Sequence, residues 1–113
     1  MKIGDLAAAS GVTVRLLRYY EEQGLLTADR TTGGQRTYAD DAPDVVARIR
    51  LLLDAGLPTK VIRDVLPCFV DDARLDACVR DHLRTRLTEL DERIGGLQQA
   101  RTALSGLLAG AVA

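Results

Sequence analysis

Along the first 66 positions apolar residues come in short bursts at helical spacing, each stopped by a single Gly or Pro. Ile3 to Ser10 reads as a short helix, Gly11-Val12-Thr13 as a turn ending in an N-cap residue, and Val14 to Gln23 as a second helix closed by Gly24. From Leu25 to Tyr38 the helical period is lost. The glycine pair Gly33-Gly34, set between β-tolerant residues, predicts a two-stranded hairpin there. A third helix is predicted from about Asp41 to Ala55, stopping at Gly56. A fourth runs from about Pro58 to Leu66, with Pro58 in its first turn and Pro67 just beyond its end.

The segment after Asp71 has a different grammar. Leu83, Leu87, Leu90, Ile94, Leu97, Arg101, Leu104 and Leu108 are spaced alternately by four and three, and all but Arg101 are apolar. A helix lying on its own globular domain carries a wider and less regular stripe, so this narrow seam predicts a coiled coil and a dimer. A C-terminal helix folded back on its own domain is the alternative. Two domains are expected: residues 1–70, a winged helix-turn-helix, and residues 71–113, a dimerisation helix.

At 113 residues with 4% aromatics and no Trp, the composition favours Leu- and Ala-rich helix packing over a sandwich or barrel. The expected fold class is all-α with a small β-hairpin wing. No apolar run reaches the roughly 18 residues needed to cross a bilayer, and Met1-Lys2-Ile3-Gly4-Asp5 lacks the form of a signal peptide. A cytoplasmic protein with no membrane partner is expected. The net charge of −1 does not by itself argue for nucleic acid: residues 1–66 hold nine Lys/Arg against nine Asp/Glu, and residues 67–113 hold six against seven. Any binding to DNA must come from where the arginines sit.

A DNA-reading helix-turn-helix needs a Gly at the turn, a small residue where its helices cross, and apolar residues that lock the second helix. With Gly11 as the turn residue, Leu6, Ala7, Val12, Leu17 and Tyr20 fall inside, with Ala7 at the crossing. The same register turns Thr13, Val14, Arg15, Arg18 and Tyr19 outward. Two arginines one turn apart then project from the N-terminal half of the helix, where guanidinium groups can bond a guanine edge or clamp a phosphate. Arg30 and Arg36 flank the hairpin tip, and Lys60 with Arg63 lies in the fourth helix, whose dipole favours phosphate. Each cation alone reads as solvated surface; a shared face is the testable geometry.

The chain closely resembles the MerR family of bacterial regulators. The resemblance runs through Ile3-Gly4-Asp5-Leu6-Ala7, Gly11-Val12-Thr13-Val14-Arg15, Leu17-Arg18-Tyr19-Tyr20-Glu21, Gly24-Leu25-Leu26 and Gly34-Gln35-Arg36-Thr37-Tyr38. It continues through Ile49-Arg50 and Ala55-Gly56-Leu57 to Ile62-Arg63. It implies a winged helix-turn-helix, two later helices forming a second wing, and a long helix that makes an antiparallel coiled coil with a second subunit. By the resemblance, Arg15, Arg18 and Tyr19 are recognition-helix contacts and Tyr20 helps at the DNA backbone; Thr13, turned outward by the register, is able to bond a phosphate. Arg30 and Arg36 are wing contacts and Lys60 is a phosphate contact near the second wing; Tyr38 is also expected among the DNA-binding residues. Gln35 departs from the aromatic residue common at its position. The partners implied are double-stranded promoter DNA, a second copy in a homodimer and, indirectly, RNA polymerase, with the dimer distorting a pseudo-palindromic promoter.

Cys68 and Cys78 stand ten residues apart near the start of the long helix. Two core thiols are the plain reading, with a redox or electrophile switch or a soft-metal site as alternatives. With His82 the only histidine, no zinc spacing is completed, so no metal and no cofactor are expected. Metal-sensing relatives in the family take further ligands from a Cys-rich loop after the coil, and drug-sensing ones carry an effector domain there. This sequence has neither after the seam, and only the neighbourhood of Phe69 suggests itself for a small molecule. An enzyme is disfavoured by the absence of a phosphate loop, a nucleophile paired with a base, or paired acids. A coiled-coil adaptor that grips protein is the other rival.

Overall fold

The computed structural model describes residues 1–71 and 74–111, apart from the Cys78 side chain. It resolves into two units, Met1–Asp76 and Ala77–Ala113.

In the first unit α1 (Ile3–Ser10) ends at Gly11, whose φ of 69° is the left-handed conformation that closes a helix, and the Gly11 N–H returns to the Ala7 carbonyl at 2.9 Å. Thr13 then caps α2 (Val14–Glu22), its hydroxyl oxygen accepting from the Leu16 N–H at 3.1 Å. This is the expected helix, turn and cap. The chain continues through the antiparallel strands β1 (Asp29–Arg30) and β2 (Arg36–Thr37), which pair Asp29 with Thr37 and Arg30 with Arg36. Their connection is tightened by Thr31, whose carbonyl accepts from Gly34 N–H at 2.8 Å and whose hydroxyl accepts from Gln35 N–H at 3.2 Å. Gly34 takes φ 81°, the reason a glycine stands there.

Two helices complete the unit, α3 (Ala42–Asp54) and α4 (Thr59–Val65). Pro58 precedes α4 as its N-cap rather than sitting in its first turn. Along α3, Ala42, Val46, Ile49 and Leu52 recur at helical spacing and are all buried. Helix α1 packs on both α2 and α3, and α3 on α4. Leu6, Leu17, Ile49, Ile62 and Val65, each with 0% exposure, form the centre of this core. No charged side chain is buried among the described residues.

After a 3₁₀ turn at Leu66–Cys68 the chain pairs back on itself. Phe69 and Leu75 form an isolated antiparallel bridge, Val70 N–H donates to the Arg74 carbonyl, and Asp76 N–H donates to the Cys68 carbonyl. The Arg48 guanidinium of α3 lies 5.3 Å from the Phe69 ring centroid. These pairings keep residues 74–76 in the first unit, and the long helix, expected over 71–113, begins at Arg80.

The second unit is a 3₁₀ turn, Ala77–Val79, leading into α5 (Arg80–Ala109). Thirty residues of helix extend about 45 Å. The seam lies wholly within α5, and Leu87, Ile94, Leu97, Leu104 and Leu108 are exposed by 51% to 77%.

Candidate nucleic-acid interface

Helix α2 divides its side chains by face. Leu17 and Tyr20 are buried, whereas Arg15, Arg18 and Tyr19 are exposed. At its N-terminus the Thr13 oxygen is committed to the cap, but its hydroxyl proton is still able to donate. The first-turn amides of Val14 and Arg15 precede the helical ladder, which begins with Leu17 N–H bonded to the Thr13 carbonyl. Amides, hydroxyl and guanidinium groups therefore gather at one end of one helix, a donor-rich arrangement suited to an anion.

Glu21 fastens the hairpin to this helix. Its carboxylate accepts from the Tyr38 hydroxyl through one oxygen and meets the Arg36 guanidinium at 3.2 Å through the other. Arg36 keeps nearly half its side chain in solvent, and with Arg18, Glu21 and Glu22 it lines one surface depression. Arg30 is the cross-strand partner of Arg36. The structure thus brings Arg18 of the helix beside Arg36 of the hairpin, with Arg30 on the neighbouring strand.

The other end of α2 meets α4. Thr59 donates through its hydroxyl to Gln23 at 3.5 Å, and a Cβ on Gly24 would lie 3.2 Å from Cδ of Arg63. Lys60, exposed and next to Thr59, accordingly sits on the element that abuts the C-terminal end of α2. It is not part of the Arg18–Arg36 depression.

Tyr20 and Tyr38 lie inside rather than with these surface groups, at 2% and 3% exposure. The Tyr20 ring packs tilted against Tyr19, with centroids 6.3 Å apart. What these tyrosines do in the fold is to set α2 and the hairpin. Tyr38 also pairs through its backbone with Met1, its N–H donating to the Met1 carbonyl at 2.7 Å. Burial and the bond to Glu21 push the Tyr38 hydroxyl up to about 12, although Arg36 and Arg18 draw it down. Burial raises Tyr20 as well.

The sign of the resulting pH dependence follows from ionisation being harder in the folded state. Tyr38 contributes stability that is complete below pH 10 and is lost as the pH climbs toward 12, about 2 to 3 kcal/mol in all. Tyr38→Phe is expected to flatten this alkaline loss, read as urea unfolding midpoints at pH 9 and pH 11.5. Equal losses in variant and parent would refute the latch.

The part of Glu21 was not visible in the sequence, where it reads as one more polar residue of the helix surface. Its only signal is its position one turn beyond Arg18. The cysteine reading is reached on one side only. Cys68 is half-buried, with its thiol 3.7 Å from the Asp64 carbonyl, while the Cys78 side chain lies outside the described residues. Among the described residues, no three His, Cys, Asp or Glu side chains gather into a metal-holding group, and no helix is long and apolar enough to cross a membrane.

Residues 1–67 match the sequence model of the MerR HTH family regulatory proteins, and residues 44–107 match that of the MerR DNA-binding region. The chain belongs to the MerR family. Among its MerR relatives, the HTH-type transcriptional regulator HmrR of Rhizobium leguminosarum bv. viciae is 36% identical over 111 residues, covering 96% of this chain and 84% of that protein. The fold is shared with the transcription regulator PbrR691 from Ralstonia metallidurans CH34, solved in complex with lead(II). The TM-score is 0.83 at 21% identity, over 100% of this chain and 88% of that one. HiNmlR, a MerR family regulator lacking the sensor domain and solved bound to promoter DNA, aligns with a TM-score of 0.58 at 22% identity, over 96% and 86%. The family places this chain among HTH-type transcriptional regulators, and its winged helix-turn-helix and long C-terminal helix are the architecture of that family.

Proposed function

We propose that this MerR-family chain acts in the cytoplasm as a homodimer that binds a pseudo-palindromic promoter sequence-specifically. In each copy Arg15, Arg18 and Tyr19 enter the major groove on α2, with Thr13 at the helix end. Arg30 and Arg36 follow the adjoining backbone, and Lys60 takes a phosphate beyond the other end of α2. The seam of α5 joins the two heads. Its output is binding rather than catalysis, and RNA polymerase is affected through the DNA. A rigid dimer holding two half-sites at a fixed separation can impose a bend costing a few kcal/mol, offset by phosphate contacts from both copies.

One observation carries this reading: Glu21 holds Arg36 of the hairpin beside Arg18 of α2, so a base-reading helix and a backbone-tracking wing present guanidinium groups together. The test is selection from a randomised duplex library with the full chain, followed by affinity measurements at 50 and 200 mM salt. A two-fold repeated motif is expected to be enriched. Affinity for it should fall about 10³-fold or more between the two salts, the response to six or more phosphate contacts. Recovery of no motif together with salt-independent binding would instead favour a protein-gripping adaptor.

A further inference from the structure

The seam of α5 has an internal mirror. Ile94 and Leu97 are equidistant from the peptide bond joining Gly95 to Gly96, and so are Leu90 and Arg101, Leu87 and Leu104, and Leu83 and Leu108. In an antiparallel two-stranded coil, each core layer joins residues equidistant from the two-fold axis, an a position against a d position. An axis at Gly95–Gly96 therefore opposes every seam residue with a seam residue of the second copy.

Other alignments fail on identifiable grounds. Sliding by one heptad so that the axis passes through Glu92 leaves Leu104 and Leu108 unopposed. That slide also sets Asp91 against Asp91 and Arg93 against Arg93 of the second copy. The opposite slide, centred on Gln99, exchanges the layer of Leu87 with Leu104 for one of Leu87 with Ala111, a poorer filling of the seam. A parallel pair would place Arg101 against Arg101 within the seam, two like charges in partly dehydrated surroundings.

The mirror-centred alignment also gives Arg101 a use. Facing Leu90 of the second copy, its aliphatic stem covers the seam while its guanidinium reaches the next residue, Asp91, at the seam's edge. Asp91 and Arg101 are both exposed, and neither has an ion-pair partner among the described residues. The two-fold axis makes the pair twice.

We propose that α5 selects a second copy of this same chain in the antiparallel register centred on Gly95–Gly96, using reciprocal Arg101–Asp91 pairs. Helices with a similar leucine seam but without this cation and acid are disfavoured as partners, because a seam arginine left without its acid is costly. The inference rests on the homodimer proposed above and adds its register and its selectivity.

The test uses full chains carrying Arg101→Glu or Asp91→Arg, studied by sedimentation at low salt with helix content followed by circular dichroism. Each alone places two like-charged pairs in its dimer and is expected to dimerise about tenfold or more weakly. Mixed in equal amounts, they form a dimer with one native and one reversed pair, and affinity should return to within about twofold of the parent. No gain on mixing, with the parent chain dimeric, would overturn the register while leaving the dimer standing. A monomeric parent would overturn both. The chain carrying both substitutions restores both pairs and supplies a second readout: it should dimerise like the parent, and weakness equal to the single variants would reject the pairing.

Discussion

Arg18→Ala is expected to weaken operator binding by about 30-fold to 10⁴-fold while the dimer and its thermal unfolding stay as they are. The side chain is exposed on α2, one turn beyond Arg15, and lines the same depression as Arg36. A guanidinium aimed at a base edge or a phosphate is worth about 1 to 3 kcal/mol, and a dimer on two half-sites loses it twice. Folding should be spared, because the contacts that fix α2 lie elsewhere: Leu17 and Tyr20 in the core, and Glu21 with Tyr38 and Arg36 on the flank. Arg18→Lys separates the two ways of making the contact. A lysine keeps a phosphate contact as a point charge but loses the two-pronged bond to guanine, so a variant that binds all duplexes with reduced discrimination identifies base reading. Fluorescence anisotropy on the selected operator and on scrambled DNA provides both numbers. Normal operator affinity in Arg18→Ala would remove α2 from the recognition role.

That experiment targets a part of the molecule that the residues alone made legible. Gly11 and Thr13 announce the end of one helix and the start of the next through local chemistry, a left-handed φ and a side-chain cap. The outward register of Arg15 and Arg18 then follows from counting. What stayed hidden depends on chain segments meeting from a distance. Glu21 acquires its role only when a hairpin some fifteen residues away folds across α2, bringing Arg36 and Tyr38 to its two oxygens. Tyr38, expected among the DNA-binding residues, is drawn inward by that bond and by pairing with Met1. Phe69 and Leu75 carry no periodic signal, because they are joined across the chain by an isolated bridge with a backbone bond on either side, Val70 to Arg74 and Asp76 to Cys68. Pattern reading therefore begins the C-terminal unit too early, at Asp71 rather than Ala77.

Replacing both Leu90 and Leu97 with Lys is expected to convert the dimer to monomers at micromolar concentration and to weaken operator binding by about 10² to 10⁴-fold. Neither leucine is buried in the single chain, and lysine is a good helix former, so α5 should remain a helix. The damage falls on the pairing. Two substitutions per copy place four ammonium groups in the seam, those at position 90 opposite Arg101 of the second copy, and each ion removed from water costs several kcal/mol unless paired. A monomer retains its α2 and hairpin cations and can still occupy one half-site, but it forfeits the high effective concentration that brings the second head to the second half-site. The two variants thus fail in opposite ways: Arg18→Ala leaves a dimer that cannot read DNA, and the double lysine chain leaves a head that reads weakly and alone. Sedimentation and footprinting on the same operator distinguish them, since the monomer should protect half-sites independently and with no dependence on their spacing. A dimer that survives four lysines would show that the seam is not what joins the copies.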